Sequence, residues 1–480
     1  MKTHRTLAYA IAVAVAANTI TYAQQSEPTK WVHVFRTDNN FTSAPVNEIE
    51  NITYTGASSD EWDPKAMALS TASHETTEIP LTAIDRWKIG NDVPKIIITT
   101  ETPADEVASK EEYLRGTLQI DGQGIIDDFP ATPMGIRGRG NSTWKPDEGI
   151  KLPYRVKFDK KQSLAGMKKA KNYVLLANHY DHSLIRNALA MEIARLLGIA
   201  YVNTMVPVDV YFNNIYKGSY NLTEKVGINS GSLHDLDEAN SVLFELDDQM
   251  DEQYVFTSSI YNLPVMVKNP DMTQEQFDTW KADFEQAEQL VKNGRAHEAF
   301  DAKDFARYIL MFSMVANREL RFPKSGYIYK TRSTDPNDGE SKSLYHFGPV
   351  WDFDMAFGNV KDNQFYGLLD NTETPLFNSP LGIQFGEVFF KAFFNQPAIK
   401  AACDEVMNEF IASDGPAKIL NFYDEYAARI ESTSARDMTA DRVAGWRTYD
   451  FDKDYVVRLR AWIEKRINYV TTDENYGVCK

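Results

Sequence analysis

The chain has 480 residues, 43% of them hydrophobic and 25% charged, which is the balance of an ordinary folded protein and excludes a largely disordered chain, collagen or a multi-span membrane protein. Its 68 acidic and 51 basic residues give a net charge of −17, which repels phosphate backbones and argues against nucleic-acid binding. Two cysteines, Cys403 and Cys479, are too few for a disulfide framework, and they are able to pair only in an oxidising compartment.

The N-terminus has the pattern of a secretory signal peptide. Lys2 and Arg5 precede an apolar run at 7–17, and Ala23 closes a candidate cleavage site. The run is shorter than the roughly 20 residues that a membrane helix needs, and no later stretch is apolar enough to span a bilayer. We therefore expect residues 1–23 to be removed and the mature chain to be secreted or periplasmic. A buried N-terminal helix is the alternative interpretation.

Residues 24–92 predict a small β-rich region. The segment 31–35 alternates between apolar and polar side chains, 48–54 is rich in β-formers, and 56–60 is a loop. The strongly β-prone run 95–100 follows, and we place the start of the main domain at residue 93.

The main domain, at 93–480, begins with strands and one embedded helix. Alternation predicts strands at 154–158, 206–212 and 216–223, and the last two form a hairpin around Asn213 and Asn214. Asp181 is the expected N-cap of a helix at 182–197, which Gly198 ends.

Helical signals dominate the second part of the chain. Helices are expected at 273–293, at 304–318 and from about residue 380 to 470. A second hairpin, with strands at 326–330 and 345–351 around a loop at 335–339, interrupts them. Strands followed by helices predict an α+β protein with two lobes, one β-rich at about 93–230 and one helical at about 270–480.

A glycine-rich loop at 136–144 is the first candidate binding element. Its glycines let backbone amides turn toward an anion, while Arg137, Arg139 and the nearby Lys151 supply positive charge in an acidic chain. The loop matches neither the Walker lysine loop nor the dinucleotide fingerprint. A tight turn with two solvated arginines is the alternative interpretation.

Glu192 is the second candidate. On a helical projection it falls inside the apolar stripe that contains Leu189 and Ile193. A carboxylate that faces inward needs a cationic or hydrogen-bonding partner, and Lys151 or Lys157 on a preceding strand would supply one. Alternatively, Glu192 lies at the edge of the stripe and reaches water.

Asp352 and Asp354 form the third candidate. In an extended strand the two side chains share a face, with Phe353 on the other. Carboxylates among large apolar residues are costly unless a cation holds them, and Mg²⁺ or Ca²⁺ prefers such oxygen ligands. Strand-end acids that cap local amides are the alternative.

An acidic run at 235–252 is expected to be a solvated surface, although Glu245 and Asp247 flank Leu246 in a β-like pattern. The eight histidines show no metal-ligand spacing, and no serine-hydrolase elbow occurs. The sequence therefore gives no support to a zinc or serine hydrolase.

Five sequence blocks together resemble the CotH kinase family, which is named for a bacterial spore-coat protein. They are RGRGNSTW at 137–144, KLPYRVKF at 151–158, NHYDHSLIRN at 178–187, GSYNLTE at 218–224 and WDFD at 351–354. The resemblance covers about residues 93–470, and the layout is similar to that of secreted members from Bacteroides-like bacteria. It implies an atypical bilobal protein-kinase-like fold that binds ATP with Mg²⁺ and phosphorylates serine or threonine of an exported protein.

The resemblance also implies site residues. Lys151 matches the lysine that touches the ATP phosphates, and Glu192 matches its ion-pair partner on the following helix. Glu224 falls where the chain enters the hinge that borders adenine. Asp352, with Asp354 beside it, matches the metal-binding aspartate. From its own residues, the glycine-rich loop with Arg137 and Arg139 suits a polyphosphate and is expected to bind the ATP phosphates.

The sequence departs from the family at the catalytic segment. The family places its catalytic aspartate in an Asn-x-Asp segment, with a metal-binding asparagine five residues later. Alignment on Tyr327 puts Leu320 and Ser325 at those two positions, with Glu319 next to the first. Glu319 is therefore the candidate general base, and Ser325 is a weaker metal ligand than an amide.

Three functions follow from these observations. The leading one is a secreted Mg²⁺- and ATP-dependent protein kinase. The second is a non-catalytic pseudokinase that serves as an exported binding or surface-assembly protein, with the β-rich N-terminal region as its contact. The third is a hydrolase that uses Asp352 and Asp354, but residues two apart on one strand face lie too close to flank a glycosidic bond.

Overall fold

The computed structural model describes residues 30–37, 41–55, 65–73, 75–229, 232–317, 319–333, 343–360, 367–377, 385–440, 443 and 449–472. The signal peptide expected at 1–23 and the loops expected at 56–60 and 335–339 lie outside these residues. Cys479 also lies outside them, so its pairing with Cys403 stays a prediction.

Two small antiparallel sheets precede the main domain. The first has the order β2-β1-β6, and the second has the order β3-β4-β5. Val34, Met67 and Ile79 are buried in the core that the two sheets share. The strands are β1 (Trp31–Arg36), β2 (Phe41–Pro45), β3 (Ile49–Thr55), β4 (Ala66–Thr71), β5 (Thr76–Pro80) and β6 (Ile84–Gly90).

A closed barrel follows, with the strand order β10-β11-β13-β12-β7-β8-β9. Tyr154, Val156 and Phe158 alternate into its core, as the sequence pattern predicts. Asn213 and Asn214 both adopt positive φ at the predicted hairpin turn, a conformation that asparagine tolerates. The strands are β7 (Lys95–Thr100), β8 (Leu114–Asp121), β9 (Phe129–Gly138), β10 (Tyr154–Gln162), β11 (Ala170–Leu176), β12 (Val206–Phe212) and β13 (Ile215–Glu224).

Helix α1 (Arg186–Leu196) connects β11 to β12 and begins later than the sequence predicts. The Asp181 carboxylate accepts hydrogen bonds from the backbone N–H groups of Ser183 and Arg186, at 3.0 and 2.8 Å. The segment between them turns before the helix starts, with Leu184 at φ 58°. Gly198 follows the helix at φ 77°, which agrees with its predicted role as a terminator.

A five-stranded sheet of order β15-β16-β14-β17-β18 lies beyond the barrel in the chain. The predicted second strand of its hairpin is short, since Pro349 has no N–H to donate to a neighbouring strand. The strands are β14 (Ser241–Leu246), β15 (Val255–Thr257), β16 (Pro264–Val267), β17 (Gly326–Thr331) and β18 (His346–Phe347), followed by the small pair β19 (Asn359–Val360) and β20 (Gly367–Leu368).

Helices pack against this sheet and form the largest core. Phe305 stacks on Phe393 with ring centroids 4.2 Å apart, and Phe347 from β18 joins them. Thr273 forms a capping box with Gln276 at the first of these helices. The helices are α2 (Gln274–Lys292), α3 (Ala302–Val315), α4 (Phe385–Phe394), α5 (Pro397–Ala412), α6 (Gly415–Asp437) and α7 (Tyr449–Thr472).

The mixture of strands and helices confirms the predicted α+β class. Among the described residues, no helix combines the length and the apolar character that crossing a bilayer requires.

Helix α6 ends where the other parts of the molecule meet. Arg436 forms ion pairs with Asp92, at 2.7 Å, and with Asp209 on β12. One turn and a half earlier, Glu431 pairs with Arg86 and Lys88 on β6. The helix therefore joins the first small sheet and the barrel to the helical part.

Candidate active site

A cleft of about 630 Å³ lies between the barrel and the five-stranded sheet. The barrel contributes side chains from the end of β9, from β10 and from β11. The opposite side comes from the ends of β14 and β16 and from the segments 319–327 and 351–355. The predicted anion-binding loop and the predicted aspartates therefore face one cavity, although they are far apart in the chain.

One wall of the cleft is cationic. The Arg139 guanidinium lies over the Trp351 ring at 5.6 Å and has no carboxylate within ion-pair distance among the described residues. Burial lowers the pKa of Arg139. Burial, followed by the charges of Arg155 and Lys268, lowers the pKa of Lys225 to about 8. An anion would stabilise the charged forms of both side chains, which burial disfavours.

The facing wall is acidic. Burial raises the pKa of Glu319 well above its usual range, and the charges of Asp352 and Asp354 raise it further. Burial and the charge of Asp352 raise the pKa of Asp354 to about 7. Burial also raises the pKa of Asp352, although Arg139 opposes this effect. Glu319 Oε2 is buried without a hydrogen-bond partner in the described part of the chain. A hard cation would satisfy this group of carboxylates.

Asp352 and Asp354 do not lie on a strand, so the predicted strand face is wrong. Asp352 adopts φ 63°, and the segment turns at this point. Asn187 at the start of α1 holds the turn: its Nδ2 donates to Asp354 Oδ1 at 2.5 Å, and its Oδ1 accepts from Phe353 N at 3.0 Å. The neighbouring Arg186 donates to the Ala356 carbonyl at 2.9 Å. The two carboxylates are therefore brought together by contacts from α1.

The segment after α3 places Glu319 in the cleft. Asn317 Oδ1 accepts from Glu319 N at 2.8 Å, and Asn317 Nδ2 donates to the Asp352 carbonyl at 3.3 Å. Leu320, which aligns with the family's catalytic aspartate, is fully buried in the core. Ser325 does line the cleft, and its N–H donates to Asp247 Oδ2 at 3.2 Å. Glu319 is thus the carboxylate that this segment presents.

The predicted ion pair between Lys151 and Glu192 is wrong. Lys151 Nζ donates to Asp437 Oδ1 at 2.7 Å and to the Ser219 carbonyl at 2.8 Å, and it does not line the cleft. Glu192 pairs with Arg195 of its own helix at 2.9 Å and stays partly exposed, as the alternative interpretation had it.

The reason for this correction lies at Gly218. A Cβ atom at this position would come within 2.3 Å of Asp437 Oδ1, and φ is 113°. Glycine therefore lets the end of α6 approach Lys151 closely. The other suggested partner of Glu192, Lys157, has its ammonium 5.7 Å from the Tyr113 ring instead.

Glu224 also does not line the cleft. Its carboxylate accepts from Thr204 N at 2.8 Å and from Thr204 Oγ1 at 2.9 Å. The next two residues, Lys225 and Val226, are the ones that border the cavity. The predicted nucleotide-binding residue, Glu224, is therefore adjacent in sequence to the residues that line the cleft but does not line it itself.

Sequence reasoning missed a buried polar group on the sheet side. Glu245 and Asp247 are each only 7% exposed, whereas the acidic run was expected to be solvated. Glu245 pairs with Lys268 at 2.8 Å and accepts from the Tyr327 hydroxyl at 2.6 Å. The alternation around Leu246 was the available signal, since it places both carboxylates on one face of a strand.

The family comparison agrees with this arrangement. The model of the CotH kinase protein matches residues 136–470, well over half of the chain, and spans both walls of the cleft. The two small N-terminal sheets and strands β7 and β8 precede the matched residues. No curated protein matches the chain. The chain belongs to the CotH kinase family, and its α+β fold is kinase-like.

Proposed function

We propose that the chain is an exported atypical protein kinase that binds Mg²⁺-ATP in the cleft and transfers phosphate to protein serine or threonine. The observation that carries this proposal is the composition of the two walls of one cleft: Glu319, Asp352 and Asp354 line one wall, the cations Arg139 and Lys225 line the other, and all five side chains keep accessible surface. Phosphate binding and metal binding are the two requirements of phosphoryl transfer.

The nucleotide phosphates would contact the cationic wall. Arg139 and Lys225 have charges that burial disfavours, so they gain most from an anion. Arg139 offers a planar guanidinium, which suits phosphate oxygens. Because Lys151 is occupied by Asp437, these two residues take the role that the resemblance assigns to Lys151. Leu176 and Val226 border the same cavity and offer apolar surface to a base.

Mg²⁺ would be held by Asp352 and Asp354. The donor set fits a hard cation, because both carboxylates line the cleft with accessible surface, and burial together with the charge of Asp352 raises the pKa of Asp354. When bound, the ion supplies charge neutralisation at the phosphate oxygens. Asn187 keeps Asp354 in place for this role.

Glu319 is the group that would accept the proton of the acceptor hydroxyl, because a cation held by Asp352 and Asp354 would offset the two charges that help to raise the Glu319 pKa and would favour its ionised form. As that O–H bond breaks, the oxygen forms a bond to the γ-phosphorus, and the bond from that phosphorus to the leaving oxygen of ADP breaks. ADP leaves with the electron pair of the broken bond. Arg139, over Trp351, is positioned to stabilise charge on the phosphate during this step.

The proposal is tested first by nucleotide binding. Mg²⁺-ATP at about 100 times its dissociation constant should add about 2.7 kcal/mol to the free energy of unfolding and raise the melting temperature. Asp352→Asn should weaken this effect and leave the binding of metal-free ATP nearly unchanged. Asp159→Asn, at an exposed ion pair on the barrel, is the matched control and should behave as wild type. A folded wild-type sample that shows no shift with Mg²⁺-ATP contradicts the proposal.

Binding without transfer is the second candidate function. It is favoured by Leu320 and Ser325, which replace the family's catalytic aspartate and metal-binding asparagine. Incorporation of ³²P decides between the two: if Glu319 is the base, Glu319→Gln should lower transfer by about 10²–10⁴-fold and leave ATP affinity unchanged. Wild-type incorporation no higher than that of Glu319→Gln would identify a pseudokinase.

A further inference from the structure

A second cavity, of about 420 Å³, adjoins the cleft. Glu319, Lys324 and Met355 line both cavities, so the Glu319 carboxylate stands where the two meet. The nucleotide-binding cations line only the first cavity. The second cavity therefore gives access to Glu319 through a lining that does not include the cations proposed to bind phosphate.

The second cavity contains a polar group without a partner. Asn371 lines it and is only 8% exposed, and its carboxamide oxygen has no hydrogen-bond partner among the described residues. A buried acceptor in this state destabilises the folded protein. An N–H or O–H donor on a ligand would remove that destabilisation.

The second cavity also has two large apolar side chains in its lining, next to an oppositely charged pair. Phe322 and Leu369 line it and are 48% and 43% exposed, which is high for large apolar side chains. Lys324 and Asp248, also in the lining, pair with each other at 3.1 Å. With their charges balanced, these residues favour an uncharged apolar group over a charged one.

We propose that the second cavity is the acceptor site and that it selects a peptide segment with an apolar side chain next to the serine or threonine. The hydroxyl would reach Glu319, the apolar side chain would pack on Phe322 and Leu369, and a backbone N–H would donate to Asn371. This inference rests on the proposed kinase function and adds to it the class of acceptor sequence.

The test uses a peptide library with a fixed central serine and random flanking residues, incubated with the mature protein, Mg²⁺ and γ-³²P-labelled ATP. Phosphorylated peptides should be enriched in leucine, isoleucine, methionine or phenylalanine within two residues of the serine. Because burial of one such side chain favours binding, Phe322→Ser should reduce the enrichment about tenfold or more. Leu369→Ser should act in the same direction.

Two controls accompany this test. Phe322→Ser and Leu369→Ser should keep the wild-type thermal shift with Mg²⁺-ATP, because neither residue lines the nucleotide cleft. Val457→Ser, at an exposed apolar position on α7, should keep the wild-type peptide preference.

The possible failures are distinguishable. If Mg²⁺-ATP binds but the library shows no apolar preference, or is not phosphorylated, the acceptor site is overturned while nucleotide binding stands. A preference that survives both Phe322→Ser and Leu369→Ser also overturns it. If Mg²⁺-ATP causes no shift in the wild-type protein, the proposed function fails and this inference fails with it.

Discussion

At the scale of single residues, the most consequential contact is the one between Lys151 and Asp437. Both side chains are almost fully buried, at 2% and 1% exposed, and the Asp437 carboxylate also accepts from Ser219 N at 2.6 Å. A buried ion pair adds little net stability, but removal of one partner leaves a charge without compensation. Lys151 therefore acts as a structural residue at a position where the family resemblance implied contact with ATP.

We expect Lys151→Met to lower the free energy of unfolding by about 3–5 kcal/mol, because the buried Asp437 carboxylate would lose its ion pair with the Lys151 ammonium. Glu192→Gln should lower it by no more than about 1 kcal/mol, because Glu192 belongs to a partly exposed pair with Arg195. Urea unfolding of the two variants measures both effects.

A double-mutant cycle of Lys151→Met with Asp437→Asn isolates the contact, and a coupling energy of several kcal/mol is expected. Equal losses for Lys151→Met and Glu192→Gln would contradict the assignment of Lys151 to Asp437.

At the scale of elements, α2 carries a buried carboxylate that is remote from the cleft. Glu288 is fully buried, and its Oε1 accepts from the Ser258 hydroxyl at 2.6 Å. Burial raises the pKa of Glu288 from 4.5 to about 7, with a smaller contribution from the charge of Glu285. Between about pH 4.5 and pH 7, the Glu288 carboxyl therefore keeps a proton in the native state that it has released in the unfolded chain.

This difference predicts how stability depends on pH. The contribution of Glu288 is fully present below about pH 4.5 and is lost as the pH rises through about 7. Glu288→Gln, which keeps a hydrogen-bond acceptor, should remove a loss of about 1–3 kcal/mol between pH 5 and pH 8.

Urea unfolding at the two pH values measures this effect. Glu275→Gln, on the exposed side of the same helix, should retain the wild-type pH dependence. A Glu288→Gln variant with the wild-type slope would contradict the raised pKa.

Elements with strong local signals were predictable from the sequence. Helices α2 and α3 were predicted to within about three residues at each end, because their apolar periodicity is strong and their starts carry capping residues. The turn at Asp352 was not predictable. Its alternating residues match a strand. The contacts that turn the chain come from Asn187, which lies 166 positions before Phe353 and 167 positions before Asp354.

In the candidate site, too, residues with a local sequence signal were predictable, and residues that depend on distant contacts were not. Arg137, Arg139, Asp352 and Asp354 were found from local composition, and all of them line the cleft. Lys225 carried no local signal, because its lowered pKa arises from burial and, to a smaller extent, from cations that are distant in the chain. The partner of Lys151 lies 286 positions later in the chain, and helical periodicity offered only Glu192.

At the scale of the whole molecule, the end of α6 joins three bodies. Arg436 neutralises Asp92, which follows the first small sheet, and Asp209 of the barrel. Phe35 of β1 packs against Ala435 and Met438 at the same end. The small sheets are therefore an integral part of this junction.

We expect Arg436→Met to lower the free energy of unfolding by at least about 3–5 kcal/mol, because Asp92 and Asp209 would both stay buried without a cation. Arg429→Met, at an exposed position of the same helix, should change it by less than about 0.5 kcal/mol. Denaturation followed by tryptophan fluorescence measures both, and similar midpoints for the two variants would contradict this role of Arg436.

Adding Asp92→Asn and Asp209→Asn to Arg436→Met should recover part of the lost free energy of unfolding, because the negative charges of Asp92 and Asp209, which would repel each other, are removed. A triple variant as unstable as Arg436→Met alone would assign the loss to packing of the arginine side chain.

The position of this junction in the chain has a consequence for the order of synthesis. Asp92, Lys151 and Asp209 leave the ribosome long before Arg436 and Asp437, which are 344, 286 and 227 positions after them. At about 5–20 residues per second, the Lys151 ammonium waits roughly 15–60 seconds for its carboxylate. During that time the barrel would have to bury charges without partners, so a nascent chain that ends before residue 436 should remain sensitive to proteases throughout its barrel. Such a delay keeps the chain unfolded while it is made, which is compatible with the export that we propose.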